Sequence, residues 1–350
     1  MESSDKATGR GAVTLRDVAE LTGLSVSAVS MALLDHPRIG AETKTRVREV
    51  ADQLGYVPNS AGRALRARKA DAIAVIVPNT GQHVFGHAYF MHVLTGVTEV
   101  ANGVEAQVTV STNPDSAHGM VAYERVMRSR SADGAIVTSA SVRDENIARL
   151  VESGIPVVLL GRYPNLADAV SVGVDDVAAA FTATEHLILA HGRRRLAHLS
   201  GPLDHQSAID RRDGFVMAAR KHEVAHEVIE GDFSEASGHT AVSEKPQLFQ
   251  AIDGLFAAND EMAYGAMSSL LADGHGVPSQ ISIVGYDDFG LSRVTTPSIT
   301  TMHVPAERMA RLATERLFDL IAGHQVKAKD AHVVLPVDLV ERQSCGCQAL

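Results

Sequence analysis

From Asp71 onward short apolar runs alternate with longer amphipathic stretches, and this alternation constrains the fold more than any other feature of the chain. Ile73–Val77, Gln107–Val110, Ala135–Val137, Val157–Leu160, Leu196–Leu199, Leu255–Ala258 and Ile281–Gly285 have the length and continuous apolar character of strands buried on both faces. Helical stretches lie between them, among them Met91–Ala101, Asp144–Ser153, Val177–His191, Asp213–Lys221, Glu261–Ala272 and Pro305–Ala322. Strands alternating with helices predict an α/β fold of parallel sheets covered on both faces. Seven or more such units are many for one open sheet, so two doubly wound sheets side by side are expected.

The first 70 residues read differently. Residues 1–12 are polar and are expected to be a disordered leader. Thr14 is placed as the N-cap of a helix through Leu15, Val18, Ala19 and Leu21, which Gly23 ends. A second helix begins at Ser25, with Val26, Val29, Ala32 and Leu33 on one side, and a third runs from about Ala41 to Leu54. Three short helices over residues 13–58 predict a small all-α domain. Residues 59–70 then carry Arg63, Arg66, Arg68 and Lys69, with no acid from Gln53 to Ala70. Such a run is either a solvated linker or a segment that folds on an anionic surface.

The net charge of −10 argues against a nucleic-acid partner when taken whole. Divided by segment it does not. Residues 1–70 hold 11 basic and 8 acidic side chains, whereas residues 71–350 hold 21 and 34. A basic head therefore precedes an acidic body. No apolar run reaches the ~20 residues of a membrane span. The polar start, MESSDKATGRGAV, has no signal-peptide core, so a cytoplasmic location is expected. The two cysteines, Cys345 and Cys347, read as a stray reactive pair on a C-terminal tail, too close in sequence to bridge each other readily.

VTLRDVAELTGLSVSAVSMAL, followed by ETKTRVREVADQLGYVPN, resembles the helix-turn-helix head of the lac repressor/galactose repressor family of bacterial transcription regulators. Further matches keep the family's order: EHL at Glu185–Leu187, Gly201–Pro202, AANDEMAYGAM at Ala257–Met267, ISIVGYDD at Ile281–Asp288 and PSITTMHVP at Pro297–Pro305. The resemblance covers nearly all of the chain beyond residue 12. It implies a DNA-binding domain at 13–58, a hinge at 59–70, an effector-binding core at 71–343 like a periplasmic sugar-binding protein, and a tail at 344–350. One lobe of the core would take about 71–173 and 305–332, the other about 174–304 and 333–343.

The resemblance also implies roles. Thr14, Ser25, Val26, Ser27, Ser30, Met31, Tyr56, Asn59, Arg63 and Leu65 would meet DNA, with Val26 and Ser27 as the main base readers. Valine can contact a thymine methyl and serine can hydrogen-bond either way. Ala28 and Met31 stand where the family often has Thr and Arg, and core packing is the competing role for Val26 and Met31. Leu65 would wedge into the minor groove from a hinge helix, so Leu65→Ala should weaken operator binding far more than non-specific binding. Dimerisation follows, because two heads match a pseudo-palindrome. No leucine heptads follow Arg342.

In the core, Tyr89, Phe90, Arg162, Ser207, Arg211, Asn259 and Asp287 would line the effector cleft. Arg and Asp suit adjacent hydroxyls, Asn supplies donor and acceptor, and Phe90 offers a flat face, so a sugar or related polyol or nucleoside is expected. Gly161, Ile209 and Val304 depart from the family's frequent polar residues, which points to a ligand of a different kind from those of the well-known members.

Sharper signals fail. His222–Glu223–Val224–Ala225–His226 fits H-E-x-x-H but falls at a helix end without a third ligand. His83, His87 and His92 lack ligand spacing, and Arg193–Arg194–Arg195 reads as a solvated turn. There is no Walker loop, nucleophile elbow or dinucleotide turn, so no enzyme, cofactor or metal is expected. The expected function is a ligand-responsive repressor; the alternative is a cytoplasmic sugar-binding protein that does not touch DNA.

Overall fold

A computed structural model describes residues 13–56, 70–115, 119–129, 131–166, 168–327 and 330–347. The expected leader, the hinge residues Asn59, Arg63 and Leu65, and residues 348–350 lie outside that set. The chain divides into two compact units, Met1–Ala70 and Asp71–Leu350.

The first unit holds α1 (Leu15–Thr22), α2 (Val26–Leu33) and α3 (Ala41–Leu54). Thr14 opens α1: its backbone N–H and its hydroxyl both donate to Asp17 Oδ2, at 2.7 and 2.8 Å. Ser25 opens α2 by accepting from the Ala28 N–H at 3.1 Å. Between them Gly23, with φ 65°, ends α1 in the left-handed conformation that lets the chain turn within two residues. Val18, Val29, Ala32, Val47 and Ala51 form the core with Tyr56.

The second unit contains two six-stranded sheets. The first runs β11-β5-β4-β3-β1-β2, with β1 at Ala72–Thr80, β2 at Gln107–Asn113, β3 at Gly134–Thr138, β4 at Val157–Leu160, β5 at Ser171–Val174 and β11 at His332–Leu335. The second runs β12-β10-β9-β8-β6-β7, with β6 at Arg195–Ser200, β7 at Ala225–Glu230, β8 at Gly254–Ala257, β9 at Ser282–Asp287, β10 at Thr300–His303 and β12 at Asp338–Val340. All of these pairings are parallel except β10 with β12. In each sheet the first strand lies between its second and third, the arrangement that opens a crevice at the carboxyl ends of the strands. The principal helices are α4 (Ala88–Gly103), α5 (Asp176–Glu185), α6 (Gln206–Lys221), α7 (Asp260–Ala272) and α8 (Ala306–Ile321). The chain passes between the sheets three times: from β5 to α5, from β10 to α8, and from β11 to β12.

Several expectations are corrected. β11 pairs with β5 from His332 to Leu335, so residues 333–335 belong to the first lobe and not the second. The helix expected at Asp213 begins at Gln206. The helix expected over Val177–His191 ends as α at Glu185 and continues as a π-helical turn, His186–Ala190. Arg193 is not simply solvated, since its guanidinium donates to Pro278 O at 2.6 Å and Ser282 Oγ at 2.9 Å. Residues 344–347 do not form a loose tail: Ser344 and Cys345 are fully buried, and Ile283 N–H donates to Ser344 O at 2.8 Å. The H-E-x-x-H segment is not helical, because β7 starts at Ala225 and the two histidines share no helix face.

Candidate functional site

The carboxyl ends of both sheets face a cleft between the lobes that opens to solvent. All seven core residues singled out from the sequence line it. They arrive from different strands: Arg162 follows β4, Ser207 and Arg211 lie on α6 after β6, Asn259 follows β8, and Asp287 ends β9. The parallel βα architecture brings them together, because every such loop emerges on the same edge of its sheet.

Arg211 is the electrostatic centre. Its Nε donates to Asp176 Oδ1 at 2.8 Å and its Nη1 to Ala258 O at 2.6 Å, while its guanidinium carbon lies 3.7 Å from the Tyr286 ring centroid. Asp287 Oδ1 is 3.8 Å from Arg211 Nη1, too far for a good hydrogen bond. Burial holds the Asp287 carboxyl well above the usual carboxylate range, against the pull of Arg211. Its φ of 111° is strained for a non-glycine residue, and such strain concentrates at functional sites.

Tyr89 and Phe90 form an edge-to-face pair with centroids 5.3 Å apart. The Tyr89 hydroxyl contacts Thr138 Oγ1 at 3.2 Å, and burial pushes its pKa up to about 12. Asn259 is more committed than its sequence role suggested. Its Oδ1 caps α7 by accepting from Met262 N–H at 2.9 Å, and its Nδ2 donates to Phe233 O at 2.7 Å. For the Ser207 hydroxyl no hydrogen bond occurs among the described residues. Arg162 is ion-paired with Asp210 of the opposite lobe, donating through Nε to Oδ2 at 2.8 Å and through Nη2 to Oδ1.

Sequence reasoning missed Asp176, His205, Gln206, Asp210, Phe233 and Glu261, which also line the cleft. Their signal was available in position: each lies within about one or two helical turns of the end of a second-lobe strand or crossover. Ile209, noted as a departure, is not among the lining residues, whereas Gly161 and Val304 are.

On the head, Ser25 and Ser27 are exposed, and Val26, Ser30 and Met31 are half-buried. Val26 packs partly against the head core. Tyr56 is 9% exposed and packs in that core. Ser25 and Thr14 both serve as helix caps.

Residues 14–59 match the family model of bacterial regulatory proteins, lacI family, and residues 184–345 match that of a periplasmic binding protein-like domain. The chain is 30% identical over 339 residues to the HTH-type transcriptional regulator CelR of Thermobifida fusca, covering 95% of this chain and 98% of that protein. It is similar in structure to a transcriptional regulator CelR–cellobiose complex, with a TM-score of 0.72 and 27% identity over 95% of this chain and 99% of the other. It is similar also to the lac repressor dimer bound to operator and the anti-inducer ONPF, with a TM-score of 0.83 and 25% identity over 96% and 99% of the two chains. No helix among the described residues is long and apolar enough to cross a membrane.

Proposed function

The chain belongs to the lacI family of bacterial transcription regulators, DNA-binding proteins and not enzymes, and on that premise we propose that it represses transcription as a homodimer on a pseudo-palindromic operator, gated by a sugar-like ligand between its lobes. The observation that carries the ligand reading is the pairing of a fixed Arg211 with a buried Asp287 that Arg211 reaches only at 3.8 Å. An arginine held by Asp176 and Ala258 can still present hydrogens to a vicinal diol, and Asp287 can accept from or donate to one of its hydroxyls. The rings of Tyr89 and Phe90 supply an apolar face for the ring of such a ligand.

Gating follows from lobe geometry. A ligand touching both lobes shifts their equilibrium only by its differential affinity for the closed and open states. The first lobe follows the hinge in sequence, so that shift would reach the heads through it. Binding of operator and ligand must then be coupled reciprocally. A repressor acting on chromosomal DNA works in the cytoplasm, and that is the location this reading assigns.

The test is a thermal-shift screen of neutral mono- and disaccharides, polyols and nucleosides, followed by calorimetry on each stabiliser with wild type and Asp287→Ala. The reading requires at least one stabiliser whose affinity falls at least tenfold in the variant. Stabilisers that bind both proteins equally would contradict it. Gel shift with an operator selected from a random pool tests the head, and loss of binding on deletion of residues 1–70 is the expected result.

A further inference from the structure

Outside the cleft, four metal-ligating side chains from two distant parts of the chain converge: His186, His191, Cys345 and Cys347. One ligand atom from each lies within 4.8 Å of all the others. We propose that these four residues bind a zinc ion that fastens the C-terminal segment to the second lobe.

Four of the six distances among the ligand atoms are close to tetrahedral edges, and none of the six exceeds 4.8 Å. His186 Nε2 lies 3.1 Å from His191 Nε2, 3.4 Å from Cys345 Sγ and 3.6 Å from Cys347 Sγ, and Cys347 Sγ lies 3.5 Å from His191 Nε2. Zinc at about 2.0 Å from nitrogen and about 2.3 Å from sulfur holds tetrahedral ligands about 3.3 Å apart (N to N) and about 3.6 Å apart (N to S). These four edges fall within a few tenths of an ångström of those values. Two thiolates and two imidazoles neutralise a divalent ion and select zinc over magnesium or calcium, which require oxygen ligands.

The backbone is shaped to make this set. Residues five apart on an α-helix diverge by about 140°. The π-helical turn His186–Ala190 widens the helix there, and the two imidazoles meet edge to face with centroids 4.8 Å apart. Such turns recur at functional sites. Gly346 between the cysteines has φ 112°, and a Cβ at that position would lie 3.1 Å from His191 Nδ1. Glycine therefore lets the two sulfurs turn to the same side without crowding the ring.

A supporting shell surrounds the set. Thr300 donates its hydroxyl to Cys345 Sγ at 2.9 Å, which fixes the position of that sulfur. Glu341 lies 3.8 Å from His186 Nδ1, the nitrogen that faces away from the cluster. At that distance Glu341 is an electrostatic neighbour of the ring and not a hydrogen-bond partner. With all four positions taken by protein the site is closed, so its role is structural and not catalytic.

The test is metal analysis of the full-length chain, expressed without a histidine tag and purified without chelator. One zinc per chain is expected, with Cys347→Ser and His191→Asn both losing it while circular dichroism confirms that they remain folded. Because a variant could fail to fold, wild type stripped with chelator is reloaded with cobalt(II). Intense tetrahedral visible bands with a thiolate charge-transfer band are expected. Metal-free protein that takes up neither ion and shows two titratable thiols, or a Cys345–Cys347 disulfide, would overturn the proposal. So would a cobalt spectrum unchanged in a folded Cys347→Ser variant.

Discussion

Arg162 and Asp210 clasp each other across the cleft, Arg162 from the loop after β4 in the first lobe and Asp210 from α6 in the second. The carboxylate is buried while the arginine side chain is 53% exposed. Gln206 Nε2 also donates to Asp210 Oδ1, at 2.6 Å. A two-bond fork of this kind fixes orientation as well as distance, so it acts as a latch on one closure angle of the lobes. Removing the arginine leaves a buried carboxylate with one amide donor. Discounted for the solvent around Arg162, Arg162→Ala should lower core stability by about 1–2 kcal/mol. The double variant with Asp210→Asn should recover part of that loss, which urea denaturation of the four-member cycle would measure.

Asp260 predicts a pH dependence. Burial raises its pKa from 3.8 to about 8, while bonds from Thr301 Oγ1 (2.6 Å) and the Asp288 N–H (2.9 Å) pull the other way. A carboxyl whose folded pKa lies above its unfolded value binds more protons when folded, so its contribution falls as pH rises from about 4 to about 8. Asp260→Asn, which mimics the protonated acid, should be more stable than wild type near pH 8 and lose that advantage near pH 5. Chemical denaturation at the two pH values checks both sign and window.

Helix packing in the second lobe gives a further expectation. A Cβ at Gly214 on α6 would press into the Val177 carbonyl oxygen and lie 2.9 Å from the Ala180 Cβ on α5. Backbone cannot yield as a side-chain tip can. Gly214→Ala should therefore destabilise the core by about 1–3 kcal/mol, read as a lowered melting temperature without change in the isolated head.

The head separates capping from base reading. Ser25→Ala removes the acceptor for the Ala28 N–H and should lower head stability by about 1 kcal/mol. Ser27 is exposed on the first turn of α2, and the described residues give it no bonded side-chain partner. Ser27→Ala should leave thermal stability unchanged and relax discrimination among operator variants. Equal operator affinities for wild type and Ser27→Ala across all variants would remove Ser27 from the reading surface.

These residues also mark what could be read without coordinates. Six of the seven runs proved to be interior strands, because a strand buried on both faces must be apolar throughout, whereas Gln107–Val110 became the edge strand β2, exposed or half-buried along those residues. β5, β7, β10, β11 and β12 escaped notice: SVGV, AHEVIE, TTMH, HVVL and DLV are short or mix polar with apolar residues, and several lie at sheet edges. The seven cleft residues were found through the family's pattern, whereas Asp210 was hidden by its place in the middle of a helix whose start was set seven residues late. The Cys–His cluster was illegible for a different reason. Its histidines and cysteines are 154 to 161 residues apart, and the interval between His186 and His191 becomes a ligand spacing only through the π-helical turn.

The proposed function rests on coupling between the cleft and the heads. Its most direct measurement is an anisotropy titration of a selected operator with full-length protein, with and without the saccharide or polyol that most stabilises the core. Operator affinity should change at least fivefold with saturating ligand, and calorimetry should show the ligand's own affinity changed by the same factor when operator is bound. A ligand that stabilises the core, loses affinity in Asp287→Ala, and leaves operator affinity unchanged would contradict that coupling.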